Sequence, residues 1–178
     1  MMFKKTFFLV ILILVCTAFS IPEKVEKKAN KVISKFYETS DFYKEHINVS
    51  EEIDKITPSI FGNENFFKIV SKETFLGYGY IGNATSKTAT FDYLVLFDKD
   101  FIITKIKVLI YREEYGGEIS SKRWLKQFIG KTSASEVIYN ENIIPISGAT
   151  ISVKSMTIAI NDLLKSINKL NKLNLLPK

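Results

Sequence analysis

The spacing of apolar residues divides the chain into a helical beginning, a strand-rich middle and a helical end. Between residues 23 and 45, apolar side chains recur at helical spacing among Lys and Glu, which predicts an N-terminal helix. A second helix is expected to start near Ser50, a residue type that commonly caps helices, and to end before Pro58 and Gly62. The first third of the chain is therefore predicted to be helical.

The middle of the chain has the alternation and the turn residues that are typical of strands. Strands are expected over residues 66–70 and 74–81. Two longer apolar runs, 91–97 and 101–111, flank the polar turn 98–100, which predicts a β-hairpin. Strict alternation in its second arm places the following residues on one core-facing side: Ile102, Thr104, Ile106, Val108 and Ile110.

The last third returns to helical spacing. Gly116 and Gly117 interrupt the chain, and a helix with Trp124, Leu125 and Phe128 on one side is expected over residues 120–129. A long C-terminal helix is predicted over residues 151–173, with this apolar stripe: Met156, Ile160, Leu163, Leu164, Ile167 and Leu170. Together these elements predict the α+β class, with an antiparallel sheet and flanking helices.

The first twenty residues have the layout of a secretory signal peptide. Lys4 and Lys5 precede an unbroken apolar run over residues 7–16, and small residues at Ala18 and Ser20 suit signal peptidase. We expect cleavage after Ser20, with an uncleaved anchor as the alternative. The predicted protein is exported, to the periplasm or the outer face of the cytoplasmic membrane. Its predicted divisions are a signal segment (1–20), an N-terminal helical region (21–65) and a single main domain (66–178).

Composition narrows the possible functions. The chain has 25 basic and 19 acidic residues, and the excess of positive charge is spread along it, so nucleic-acid binding is not expected. Cys16 is the single cysteine and His46 the single histidine, so neither a disulfide nor a metal site is predicted.

A turn of small residues precedes the C-terminal helix. The small side chains of this turn let a ligand come close to free backbone N–H groups, and the helix dipole favours an anion there. The turn consists of Ser147, Gly148, Ala149 and Thr150. Ser152 adds a further hydroxyl group. The segment therefore suits a phosphate or a phosphodiester. The alternative is that Ser147 or Thr150 is an ordinary helix cap.

This segment resembles the flavin-attachment motif of the FMN-binding domain family. The hairpin around residues 98–100, the loop 111–119 and the helix beginning at Trp124 follow in the family's order, so that the resemblance covers about residues 75–165. It implies FMN as cofactor, joined through a phosphodiester to Thr150 by a flavin transferase that uses FAD. Family members often carry an Asp six positions before the modified threonine, where this chain has Ile144.

The resemblance also implies which other residues contact the cofactor and what the protein does. The loop with Glu113, Gly116 and Gly117 is expected to help shape the flavin pocket, and Ser152 matches a second hydroxyl position of the family. We expect an electron carrier with redox partner proteins in or at the membrane. The alternatives are an accessory subunit of a membrane redox complex, or a structural envelope protein that binds flavin noncovalently. No catalytic residue of an independent enzyme is assigned.

Overall fold

The computed structural model describes residues 21–62 and 64–177. The predicted signal peptide, residues 1–20, lies outside the described residues. The helices are α1 (Glu23–Tyr37), α2 (Glu51–Asp54), α3 (Lys122–Leu125) and α4 (Thr150–Lys172), with 3₁₀ turns at Gly117–Ser120 and Lys126–Phe128. The strands are β1 (Tyr43–His46), β2 (Phe66–Ser71), β3 (Thr74–Thr85), β4 (Thr90–Phe97) and β5 (Ile103–Tyr111). No helix in this part of the chain is long and apolar enough to cross a membrane.

The described strands form one antiparallel sheet in the order β1-β2-β3-β4-β5. The predicted hairpin is confirmed, because β4 and β5 pair through partners such as Val95 and Ile106 on either side of the 98–100 turn. Asp98 closes that turn, since its carboxylate accepts hydrogen bonds from the amides of Asp100 and Ile102, each at 2.9 Å. The predicted α+β class with an antiparallel sheet is therefore confirmed.

Helices cover the sheet on both faces. One face, which we call the α4 face, packs against α4, and the predicted apolar stripe of that helix is buried from Met156 to Leu170. Aromatic side chains of the sheet, among them Phe91 and Phe97, complete this larger core. The opposite face, the α1 face, buries Val25, Ala29 and Ile33 of α1 in a smaller apolar cluster.

The predicted helix over residues 23–45 is wrong in its last part. Helix α1 ends at Tyr37, because Glu38 takes a left-handed conformation with φ 54°. The Thr39 hydroxyl then accepts a hydrogen bond from the amide of Asp41, a local turn that competes with helix. Residues Tyr43–His46 form a strand that pairs with β2. Pairing at the sheet edge therefore overrides the helical spacing of the apolar residues.

The strict alternation predicted for the second hairpin arm is also wrong. The register between β4 and β5 shifts twice, once near each end of the pair. As a result Ile103 joins Ile106 and Val108 in the core of the α4 face, whereas Ile110 packs against the cluster of the α1 face. Each such β-bulge adds an unpaired residue, so that the side chains after it point to the opposite face from the one that strict alternation predicts. The predicted helix 120–129 is likewise shorter, consisting of α3 and the 3₁₀ turn after it.

Candidate functional site

The turn before α4 leaves its backbone open to an incoming group. Gly148 has φ 84°, a conformation that favours glycine, and a Cβ placed there would meet no described atom within 4 Å. The amide of Ala149 closes the turn by donating to the carbonyl of Ile146 at 3.4 Å. Ser147 and Gly148 are exposed, whereas Ala149 is buried and anchors the turn against the core.

The N-terminus of α4 has the electrostatic features of an anion site. The cap position is Ala149, and no side chain caps this helix among the described residues. The interpretation of Ser147 or Thr150 as an ordinary cap therefore does not hold in this structure. The first turn contains no acidic residue. Because the first amides of a helix have no intrahelical acceptor, they and the dipole of this 23-residue helix favour a negative group.

The two hydroxyl groups of the first turn have opposite environments. Thr150 is exposed, and within the described residues its side chain makes no hydrogen bond that would tie it down. Ser152 is only 4% exposed, and its Oγ lies 3.0 Å from the Tyr111 hydroxyl. Since Tyr111 donates to the carbonyl of Tyr115 at 2.9 Å, Ser152 is the donor to Tyr111. Of the two hydroxyl groups, that of Thr150 is therefore the accessible one, whereas that of Ser152 supports the loop.

The loop 113–117 packs beside the turn, as the sequence predicts. Gly116 has φ 83°, and a Cβ there would lie 2.7 Å from the Tyr111 hydroxyl and 3.5 Å from the Cα of Ala149. Only glycine fits this position, both for its backbone conformation and for the close approach. A Cβ at Gly117 would meet nothing within 4 Å among the described atoms. The surface next to the turn is therefore open at Gly117 and Gly148.

Glu113, at the start of this loop, forms its hydrogen bonds with the β3–β4 turn and not with the turn before α4. Its carboxylate accepts hydrogen bonds from the amides of Thr88 and Ala89 and from the hydroxyls of Ser86 and Thr88. These bonds, the Ser86 hydroxyl first, lower the pKa of Glu113 to about 2. Glu113 therefore holds the β3–β4 turn. Arg112, which precedes Glu113 in the chain, forms an ion pair with Asp92.

The segment that leads into the turn is held by a contact that the sequence analysis missed. The Trp124 indole donates to the carbonyl of Ile144 at 2.9 Å, and the amide of Ile144 donates to Gln127 Oε1 at 2.7 Å. The side chain of Ile144 is left 72% exposed. The pairing of Trp124 with a polar partner 20 residues away could not be found from spacing alone.

A cleft of about 550 Å³ adjoins α4 beyond its first turn. Tyr80, Tyr93 and Ile158 contribute to its walls, and Ser155 lies at the α4 side, where its hydroxyl is 3.1 Å from that of Thr85. Burial raises the pKa of Tyr93 well above its ordinary value. This cleft was not predicted from the sequence. Within residues 21–62 and 64–177 no cluster of His, Cys, Asp or Glu could hold a metal ion.

The fold and the open helix N-terminus define a domain that can bind a phosphate-bearing cofactor. Residues 87–165 match the model of the FMN-binding domain family. This match supports the assignment of residues 87–165 to that family and indicates FMN as the cofactor. The match spans β4, β5, α3 and the first two thirds of α4, and includes both the turn and the loop 113–117. No curated protein matches the chain.

Proposed function

We propose that the protein is an exported electron carrier that holds FMN through a phosphodiester bond to Thr150. The observation that carries this proposal is the exposed Thr150 hydroxyl at a helix N-terminus without a side-chain cap. FMN fits this environment, because a phosphate next to Thr150 would face the free amides of the first turn and no carboxylate of that turn.

In the proposed attachment, the FMN half of FAD is transferred to the Thr150 hydroxyl. The Thr150 Oγ attacks the phosphorus of the FMN half, so that an Oγ–P bond forms and the P–O bond to the AMP half breaks. AMP leaves, and the hydroxyl proton passes to a base of the flavin transferase. No electron is gained or lost in this step. The buried, hydrogen-bonded Ser152 is not accessible for the same reaction.

The residues around the turn bind and orient the cofactor, and FMN itself supplies the redox chemistry. Gly148 and Gly117 leave open surface beside Thr150 for the body of the flavin. Glu113, the carboxylate of the neighbouring loop, is ionised near neutral pH and already accepts several hydrogen bonds. It is therefore not a proton donor for a substrate.

The proposed location follows from the first twenty residues. A short apolar run after two lysines favours secretion, and a covalent bond would keep the cofactor from diffusing away outside the cytoplasm. The proposed partners are accordingly the transferase and redox proteins in or at the membrane. Intact-mass measurement of protein from a bacterial host checks the export step. A mature N-terminus near Ile21 is expected, and a retained Met1 would favour an anchor.

Coexpression with a flavin transferase tests the attachment. The wild-type chain should carry a fluorescent adduct on a denaturing gel, and peptide mass analysis should place it on Thr150. Thr150→Val should abolish the adduct with little change of fold, since the two side chains have similar shapes and the site is exposed. Ser152→Ala is the matched control and should keep the adduct.

The other results each have a definite meaning. An adduct on Ser152 would move the attachment site. FMN that binds but is lost on denaturation would replace the covalent proposal with noncovalent binding. A chain that binds no FMN at all would overturn the proposed function.

A further inference from the structure

A second concave surface lies at the β5 edge of the sheet, between α1 and α3. It encloses about 560 Å³. We call it the lysine groove because half of its twelve lining residues are lysines: Lys31, Lys35, Lys105, Lys107, Lys122 and Lys126. A groove of this volume is in the range of small-molecule sites, about 300–1,000 Å³.

The described residues that line the lysine groove include no Asp or Glu to neutralise its positive charge. The ion pairs of the described residues involve other cations, Lys27, Lys44, Lys99 and Arg112. Because like charges in one concave surface raise the local potential, the groove attracts an anion.

The floor of the lysine groove is apolar. It is formed by these five side chains: Val32, Phe36, Ile106, Leu125 and Ile129. Phe36 and Ile129 are 37% and 41% exposed, so part of this apolar surface is accessible to a ligand. The Nζ of Lys105 lies 5.9 Å from the centre of the Phe36 ring. Lysine stems can extend such a floor while their ammonium groups stay at the rim.

Protection of the edge strand explains only part of this arrangement. Lysines on an edge strand commonly prevent pairing with another chain, and Lys105 and Lys107 of β5 suit that purpose. The other four lysines lie on α1, on α3 or in the 3₁₀ turn that follows it, where there is no strand edge to protect. They surround the same apolar floor from both sides.

We propose that the lysine groove binds one amphipathic anion, a carboxylate or phosphate head on an apolar chain or ring. The head meets the lysines and the apolar part covers Phe36 and Ile129. A single molecule fits better than a membrane surface or a nucleic acid, because the apolar floor is recessed and neither a flat bilayer nor a polyanion would cover it. The groove shares no residue with the FMN site.

Calorimetric titration of the wild-type protein with decanoate and with decyl phosphate tests this proposal. Both probes should bind saturably with one molecule per chain. Decyltrimethylammonium, with the same chain and the opposite charge, should bind at least tenfold more weakly. Sedimentation with phosphatidylglycerol vesicles distinguishes the bilayer as a source. Binding to vesicles without saturable binding of the free amphiphiles would overturn the proposal in favour of membrane docking.

Variants at the rim and the floor complete the test. Lys105→Gln with Lys107→Gln should weaken binding of both anions roughly tenfold, a loss of about 1.4 kcal/mol, because two of the six lysine charges are removed. The matched pair Lys154→Gln with Lys172→Gln, on exposed positions of α4, should leave binding unchanged. Ile129→Ser should weaken binding by removing apolar floor. Equal affinity in all variants, or no saturable binding of the wild type, would overturn the proposal.

Discussion

Two regions of the molecule, the N-terminus of α4 and the lysine groove, attract anions by different physical means. At the N-terminus of α4 the positive groups are backbone amides, which are fixed and directional. In the lysine groove, at the β5 edge of the sheet, they are lysine ammoniums on long, flexible stems. Fixed amides suit one phosphate in one position, as covalent attachment to Thr150 requires. Flexible lysines tolerate different head groups, as an exchangeable ligand requires.

The two faces of the sheet differ in what holds them together. On the α4 face, ten residues of α4 are buried, and the helix packs against aromatic side chains of the sheet. The family match covers most of that helix together with β4 and β5. The α1 face rests on three buried positions of a 15-residue helix that lies outside the match. The comparison indicates that the cofactor site is built on the more heavily packed side of the protein.

The largest expected effect concerns these two cores. Ile160→Ala on the α4 face and Ile33→Ala on the α1 face remove the same side chain from fully buried positions. Each should lower the free energy of unfolding by about 2–5 kcal/mol, with Ile160→Ala at the upper end because its larger cluster relaxes less. Urea unfolding measures both values. A greater loss at Ile33 would reverse the comparison.

The elements with long, regular apolar spacing were predicted from the sequence. The stripe of α4 and the hairpin at 98–100 were correct, because burial on one side enforces their period over many residues. Strand β1 and the two bulges of β5 were not predicted, since both depend on pairing with another strand. Short elements at a sheet edge follow their partners more than their own spacing.

The candidate site was predictable to the extent that it is local in sequence. The turn 147–150 and the nearness of Gly116 were expected, and the structure brings them together. The role of Glu113 in holding the β3–β4 turn was not, because its partners lie 24 to 27 residues earlier. The lysine groove was missed for the same reason, since it is assembled from three separate segments.

The next prediction tests whether the flavin transferase recognises the segment that leads into the turn before α4. Ile144→Asp restores the acidic residue that is common in the family, at a side chain that is already exposed and whose backbone is held by Trp124 and Gln127. A charge-assisted contact with the transferase is worth about 1.5–3 kcal/mol, so we expect flavin attachment to become roughly tenfold faster or more.

A matched change in the lysine groove serves as the control. Ile129→Asp places the same charge on another exposed apolar position, in the lysine groove, and should leave the attachment rate unchanged. The rate is measured from in-gel flavin fluorescence against time with purified transferase and FAD. An unchanged rate in Ile144→Asp would mean that the transferase does not read this position. If Ile144→Asp and Ile129→Asp accelerated flavin attachment equally, the transferase would not recognise position 144 specifically.

The smallest expected effect concerns the hydrogen bonds between the Glu113 carboxylate and the β3–β4 turn, which we call the clasp. The pKa of Glu113 is lowered from 4.5 to about 2, so its ionised form stabilises the fold. This contribution is complete above about pH 4.5 and is lost as the pH falls towards 2. Glu113→Gln should therefore have a slightly lower melting temperature than wild type at pH 7, and the difference should shrink between pH 4.5 and 2.

The neighbouring Glu114 provides the control for this prediction. It is exposed, and none of the described residues forms a hydrogen bond with its carboxylate, so Glu114→Gln should keep the wild-type melting temperature. The amide resonances of Thr88 and Ala89 report the clasp directly, because both amides donate to Glu113. In wild type they should titrate with a midpoint near pH 2. A midpoint near 4.5 would show that the clasp does not form in solution, and that the loop beside Thr150 is positioned by Gly116 and Tyr111 alone.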